Sequence, residues 1–126
     1  DHLVLTVRDI EATSDFYRRV LGLRPISYGG GLVALRFGAQ KINLHQAGAE
    51  RSPNARVARP GTGDLCFVAR EPVSLIVARL ADAGVEIELG PVVRQGALGP
   101  MTSVYLRDPD GNLIEVATYR PGGQLT

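Results

Sequence analysis

An order of elements that occurs twice constrains this chain more than any other feature. Residues 2–7, HLVLTV, alternate as a strand, with His2, Val4 and Thr6 on one face and Leu3, Leu5 and Val7 on the other. From Asp9 the string DIEATSDFYRRVLG puts Ala12, Phe16, Val20 and Leu23 at helical spacing, with Asp9 suited to the N-cap and Gly22 to the left-handed position after the helix. Arg24–Tyr28, Leu32–Phe37 and KINLH at 41–45 read as three strands, separated by turns at Gly29–Gly31 and Gly38-Ala39. Residues 47–62, rich in Ala, Arg, Pro and Gly, read as a linker. The order then returns. Asp64–Ala69 is a strand, and a helix follows with Val73, Ile76, Val77 and Leu80 as its stripe and Gly84 at its end. A strand near Ile87–Leu89, a loop at 90–100 and strands at Ser103–Arg107 and Leu113–Tyr119 complete it, and the tail RPGGQLT is expected to fray.

The repeat can be checked residue by residue. An offset of 62 carries Leu3 to Leu65, Arg8 to Arg70, Asp9 to Glu71 and Gly22 to Gly84. At the last strand the offset becomes 72, which carries Asn43 to Glu115 and Leu44 to Val116. The expected fold is α+β: two tandem βαβββ modules, about 1–46 and about 63–120, forming curved mixed sheets around a cavity with the helices outside. The two make a single domain. A module of ~60 residues leaves one side of its sheet open, so the modules are expected to pair within the chain or between chains.

Composition narrows the function classes. With 14 basic and 13 acidic residues, scattered rather than clustered, the chain gives no support to nucleic-acid binding or to an electrostatic membrane patch. The one cysteine, Cys66, cannot form an internal disulfide, which fits a reducing compartment. No apolar run reaches the ~18–20 residues of a membrane span, and no signal-peptide pattern opens the sequence. The expectation is a cytoplasmic protein. The sequence opens at Asp1 rather than Met, so a few residues are expected to precede it.

The stretch RDPDGNLIEVA at 107–117 carries the candidate chemistry. Asp110-Gly111 after Pro109 suits a tight reversal, and the strand beyond it places Ile114 and Val116 on a core face. Glu115 is then a carboxylate held mid-strand on the opposite face, where it needs a cation, a donor or water. If the modules are related by a pseudo-twofold axis, their first and last strands line one cavity. The equivalent polar positions are His2 with Asp64 and Asn43 with Glu115. His45 shares a face with Asn43, as Cys66 does with Asp64. Leaving such groups buried and unpaired costs ~1–3 kcal/mol each, so they need a reason. Cys66 is expected to be a small cavity-wall or core residue. Arg94 and Tyr105 are candidates for an anionic or oxyanionic substrate, with the loop at 90–100 suited to act as a lid.

The strings DIEATSDFYRRVLGL and RDPDGNLIEVATY resemble the vicinal oxygen chelate superfamily, which includes glyoxalase I, extradiol dioxygenases, fosfomycin resistance proteins and metal-free bleomycin-binding proteins. KINLH, DLCF and GPVVRQGALGP are similar to a narrower group of short glyoxalase-like proteins labelled dioxygenase-related or virulence-associated. The resemblance implies one divalent metal ion, of Zn, Ni, Mn, Fe or Mg. It implies His2 and Glu115 as ligands, with Asp64 standing where relatives usually have His and Asn43 where glyoxalase I has Glu. His45 would restore a two-His, one-carboxylate set, although a two-residue step moves it ~6.5–7 Å along its strand. Asn43 is otherwise assigned to the substrate. The resemblance also implies a homodimer and a small-molecule substrate with adjacent oxygens. Glu115 would be the catalytic base of a lyase or isomerase. An extradiol-type dioxygenase and a metal-free protein that sequesters an antibiotic or metabolite are the alternatives.

Overall fold

The computed structural model describes residues 1–120, so the tail expected to fray after Arg120 lies outside the described residues. The chain divides into two compact units: residues 1–63 with 108–112, and residues 64–107 with the chain from Leu113. In the first, strand β1 (His2–Val7), helix α1 (Ile10–Leu21), and strands β2 (Arg24–Tyr28), β3 (Leu32–Phe37) and β4 (Gln40–Gln46) form a sheet of order β1-β4-β3-β2. In the second, β5 (Asp64–Val68), α2 (Val73–Asp82), β6 (Leu89–Gly96), β7 (Gly99–Arg107) and β8 (Leu113–Thr118) form a sheet of order β5-β8-β7-β6. First and last strands pair in parallel in both units, and the other pairs are antiparallel. The fold is α+β, βαβββ twice.

Local chemistry explains the first helix. Asp9 is extended at φ −149° and its Oδ1 accepts from the Ala12 amide at 3.1 Å, while Gly22 at φ 73° ends the helix. The buried stripe is Thr13, Phe16, Tyr17, Val20 and Leu23, with Ala12 exposed instead of inside. Phe16, Val20 and Leu23 lie inside as expected, and Thr13 and Tyr17 take the place of Ala12, the Tyr17 hydroxyl having a buried partner. α1 packs on β2, β3 and β4, where Leu35, Ile42 and Leu44 are almost fully buried. In the second unit Val73, Ile76 and Leu80 of α2 are buried, and the helix packs on β7 and β8. Val104, Leu106, Ile114 and Val116 form the buried face of those two strands.

That partner of Tyr17 is Asp108. Its Oδ2 accepts from the Tyr17 hydroxyl at 2.7 Å and from Asn112 Nδ2 at 2.8 Å. Its Oδ1 accepts from the backbone amides of Asp110 and Asn112, both at 2.9 Å. Asn112 Oδ1 in turn accepts from the Gly63 amide at 2.7 Å, and Asp110 Oδ1 from the Arg8 amide at 3.2 Å. Burial, and then the Asp108 charge, push the Tyr17 hydroxyl above its ordinary range. The acidic turn of RDPDGN therefore clasps the first unit.

Residues 90–100 are not a loop. They form a β-hairpin, with β6 running to Gly96 and β7 starting at Gly99, and the strand expected at Ile87–Leu89 begins only at Leu89. The expected lid is thereby removed. Gly and Pro suit this hairpin because β6 is an edge strand whose register shifts between Leu89 and Val92, where Pro91 owes no ladder amide. Gly90 sits at φ 114°, and a Cβ there would lie 2.5 Å from the Ser103 carbonyl oxygen.

Candidate functional site

In the second unit, alternation along β8 turns Ile114 and Val116 toward α2 and Glu115 to the other face. The register makes Cys66 and Tyr105 the direct neighbours of Glu115 on the flanking strands. Tyr105 carries the row further: its hydroxyl accepts from Arg94 Nε at 3.0 Å, and the guanidinium lies 5.6 Å from the ring centroid. Arg94, Tyr105, Glu115 and Cys66 thus share one sheet face. Glu115 is half-buried, and its Oε2 is buried without a hydrogen-bond partner among the described residues. Partial burial pushes the Cys66 thiol up to about 11, and the Glu115 charge and a hydrogen bond to it add to the rise. Cys66 is exposed along β5 rather than a core residue. Sequence reading had not paired it with Glu115, because that pairing is set by strand register.

Asp64 lies on the same face, two residues along from Cys66 and opposite Leu113. Its charge helps to hold the Arg107 guanidinium above its ordinary value, after the larger effect of the two-pronged Glu88 pair at 2.9 and 3.0 Å.

In the first unit, His2, Asn43 and His45 share the sheet face away from α1, but none is the direct cross-strand partner of another. His2 stands opposite Lys41, Asn43 opposite Val4, and His45 opposite Thr6. His2 is exposed, with Nδ1 2.6 Å from the Asp1 carboxylate. Asn43 Oδ1 and His45 Nδ1 are buried without hydrogen-bond partners among the described residues. Asn43 and Glu115, equivalent positions of the repeat, each present an orphaned buried oxygen. Residues 53–62 of the linker, together with β1 and His45, also line a recess that the sequence reading did not foresee.

A divalent ion needs several lone pairs around one point. Glu115 Oε2 and His45 Nδ1 have the right chemistry, being buried and unpartnered. Among the described residues, however, no three His, Cys, Asp or Glu side chains gather closely enough to hold one. No helix among the described residues is long and apolar enough to cross a membrane.

Comparison with known proteins agrees with this fold. The family model for the glyoxalase/bleomycin resistance protein/dioxygenase superfamily matches residues 1–116. The virulence protein STM3117 of Salmonella typhimurium is 50% identical over 119 residues, covering 94% of this chain and 83% of that protein. Its crystal structure superposes with a TM-score of 0.93 over 94% of each chain. The glyoxalase domain-containing protein RDO1 of Mycosarcoma maydis is 49% identical over 120 residues, 95% of this chain and 68% of that protein. A crystal structure of lactoylglutathione lyase from Agrobacterium tumefaciens is 28% identical, with a TM-score of 0.70 over 94% of this chain and 91% of that one. The chain belongs to the glyoxalase/bleomycin resistance protein/dioxygenase superfamily.

Proposed function

We propose that this chain is a glyoxalase-like lyase or isomerase that moves a proton beside a carbonyl on a small substrate with adjacent oxygens, using Glu115 as the base. The observation that carries this reading is the Glu115 carboxylate, whose buried Oε2 has no partner among the described residues and keeps a lone pair free to take a proton. Tyr105, its neighbour, supplies a hydroxyl, and Arg94 supplies guanidinium N–H groups toward an oxygen that gains negative charge. The Cys66 thiol stays protonated near neutral pH, so it does not compete as a nucleophile. A divalent ion held at this site would supply charge stabilisation to the neighbouring substrate oxygens. His2 and Glu115 first and Asp64 next would be its donors, and Asn43 would meet the substrate. Zinc, nickel, manganese, iron and magnesium are all chemically compatible with those donors. We further assign the protein to the cytoplasm, where a lone thiol stays reduced, and to a homodimer.

Sequestration of a small molecule without turnover is the second reading, favoured because no three donor side chains gather among the described residues. One panel separates the readings: glutathione hemithioacetals, other 2-oxoaldehyde adducts and catechols, assayed with Mg²⁺, Mn²⁺, Ni²⁺, Zn²⁺ and anaerobically loaded Fe²⁺. Isomerisation of an oxoaldehyde adduct supports the proposal. Oxygen consumption with a catechol moves the assignment to ring cleavage, and tight binding without turnover under any metal moves it to sequestration.

A further inference from the structure

The linker between the repeats does more than connect them. Its residues 53–62 help to enclose a recess of about 160 Å³ in the first unit, against β1 and His45. An apolar cavity of ~150 Å³ is enough to take one benzene molecule. Val4, Leu5 and Val57 give apolar wall, so a body of that size would be received mainly by hydrocarbon.

The polar side chains at the wall are Thr6, His45, Asn54, Arg59, Thr62 and Asn112, and Asn112 is already used, its Nδ2 donating to Asp108 and its Oδ1 accepting from the Gly63 amide. Asn54 Nδ2 donates to the Arg51 carbonyl at 3.1 Å and the Thr62 hydroxyl to the Arg59 carbonyl at 3.0 Å, so both hold the linker in shape. His45 retains a buried ring nitrogen with no partner among the described residues. Arg59 is exposed and makes no ion pair among the described residues. Around it the linker carries Arg51 and Arg56 against the single acid Glu50, whose carboxylate accepts from the Gly48 amide at 2.7 Å. The recess thus joins a benzene-sized apolar interior to an unneutralised guanidinium and an unsatisfied imidazole. An unpaired guanidinium beside an apolar pocket favours a carboxylate over a neutral ligand, because the fork accepts its two oxygens together.

We propose that this recess binds a small monocarboxylate with a compact apolar body of about six carbons, its carboxylate on Arg59 and a hydrogen-bonding substituent on His45. The site is built from residues of the first unit alone and assigns His45 to a ligand instead of to a metal. It does not depend on Glu115 being a base.

The test is equilibrium binding of 2-hydroxybenzoate and benzoate to the purified protein by calorimetry, with benzyl alcohol as the uncharged comparison. Both acids are expected to bind saturably, and benzyl alcohol about tenfold more weakly. Arg59→Gln, on the exposed linker, should weaken both acids about tenfold, and Val57→Trp should abolish binding by filling the recess. His45→Gln should weaken 2-hydroxybenzoate more than benzoate. Glu115→Gln should bind both as wild type does, so loss of turnover in that variant and loss of this site are distinguishable. Absence of saturable binding to the wild type at millimolar acid overturns the proposal, as does undiminished binding by both Arg59→Gln and Val57→Trp.

Discussion

Cys66 and Glu115 are direct partners across the parallel β5–β8 pair, and partial burial together with that carboxylate holds the thiol up to about 11. Alkylation of Cys66 by iodoacetamide should therefore be slow at neutral pH, with its rate rising toward a midpoint near 11. Glu115→Gln removes the charge and leaves the burial, so the midpoint should fall toward the ordinary 9.0. The unfolded thiol ionises first as pH rises. The stability linked to the protonated thiol, set first by burial and then by Glu115, is accordingly complete below the unfolded value and is lost as pH rises through the folded one. An identical midpoint in the two proteins would mean that the carboxylate has no part in it.

Asp108 predicts a stability effect without a catalytic one. Asp108→Ala leaves the Tyr17 hydroxyl, the Asn112 side-chain amide and two backbone amides without their buried acceptor, and should cost about 3 kcal/mol in urea unfolding. Tyr17→Phe removes one of these bonds and should cost about 2 kcal/mol. Equal stability of Asp108→Ala and wild type would remove the clasp from the account.

Gly90→Ala tests the hairpin. The added Cβ meets the Ser103 carbonyl at φ 114°, so the variant should lose about 2–3 kcal/mol of unfolding free energy. A mobile loop at 90–100 would tolerate the same change with little loss, and a neutral result would restore the lid.

Much of this was legible in the sequence, for physical reasons that differ by residue. Ile114 and Val116 alternate with Glu115, and period-two alternation has only one reading in a half-buried strand. Asp9 and Gly22 announced the ends of α1 because caps are local chemistry. The clasp was hidden, since Asp108 and Tyr17 are 91 residues apart in sequence. The hairpin is hidden in the sequence because Gly and Pro are breakers in most strands, whereas an edge strand with a register shift accommodates both. Cys66 beside Glu115 and the linker against β1 both depend on tertiary placement, which composition does not encode.

The homodimer has its own test. Val68 is 61% and Leu89 47% exposed, both on the face of the second unit's sheet away from α2, and cover by a second copy would bury them. Sedimentation equilibrium at micromolar protein should give twice the chain mass. A monomer mass would reject the dimer and leave the fold untouched.

The most direct test of the central claim is the turnover number of Glu115→Gln on the substrate that the panel identifies, measured beside its affinity for that substrate. The exchange keeps the size of the side chain and removes its ability to take a proton. The account predicts a fall of about 10²–10⁴ in kcat with substrate affinity held within a few-fold. A kcat within about threefold of wild type would contradict Glu115 as the base.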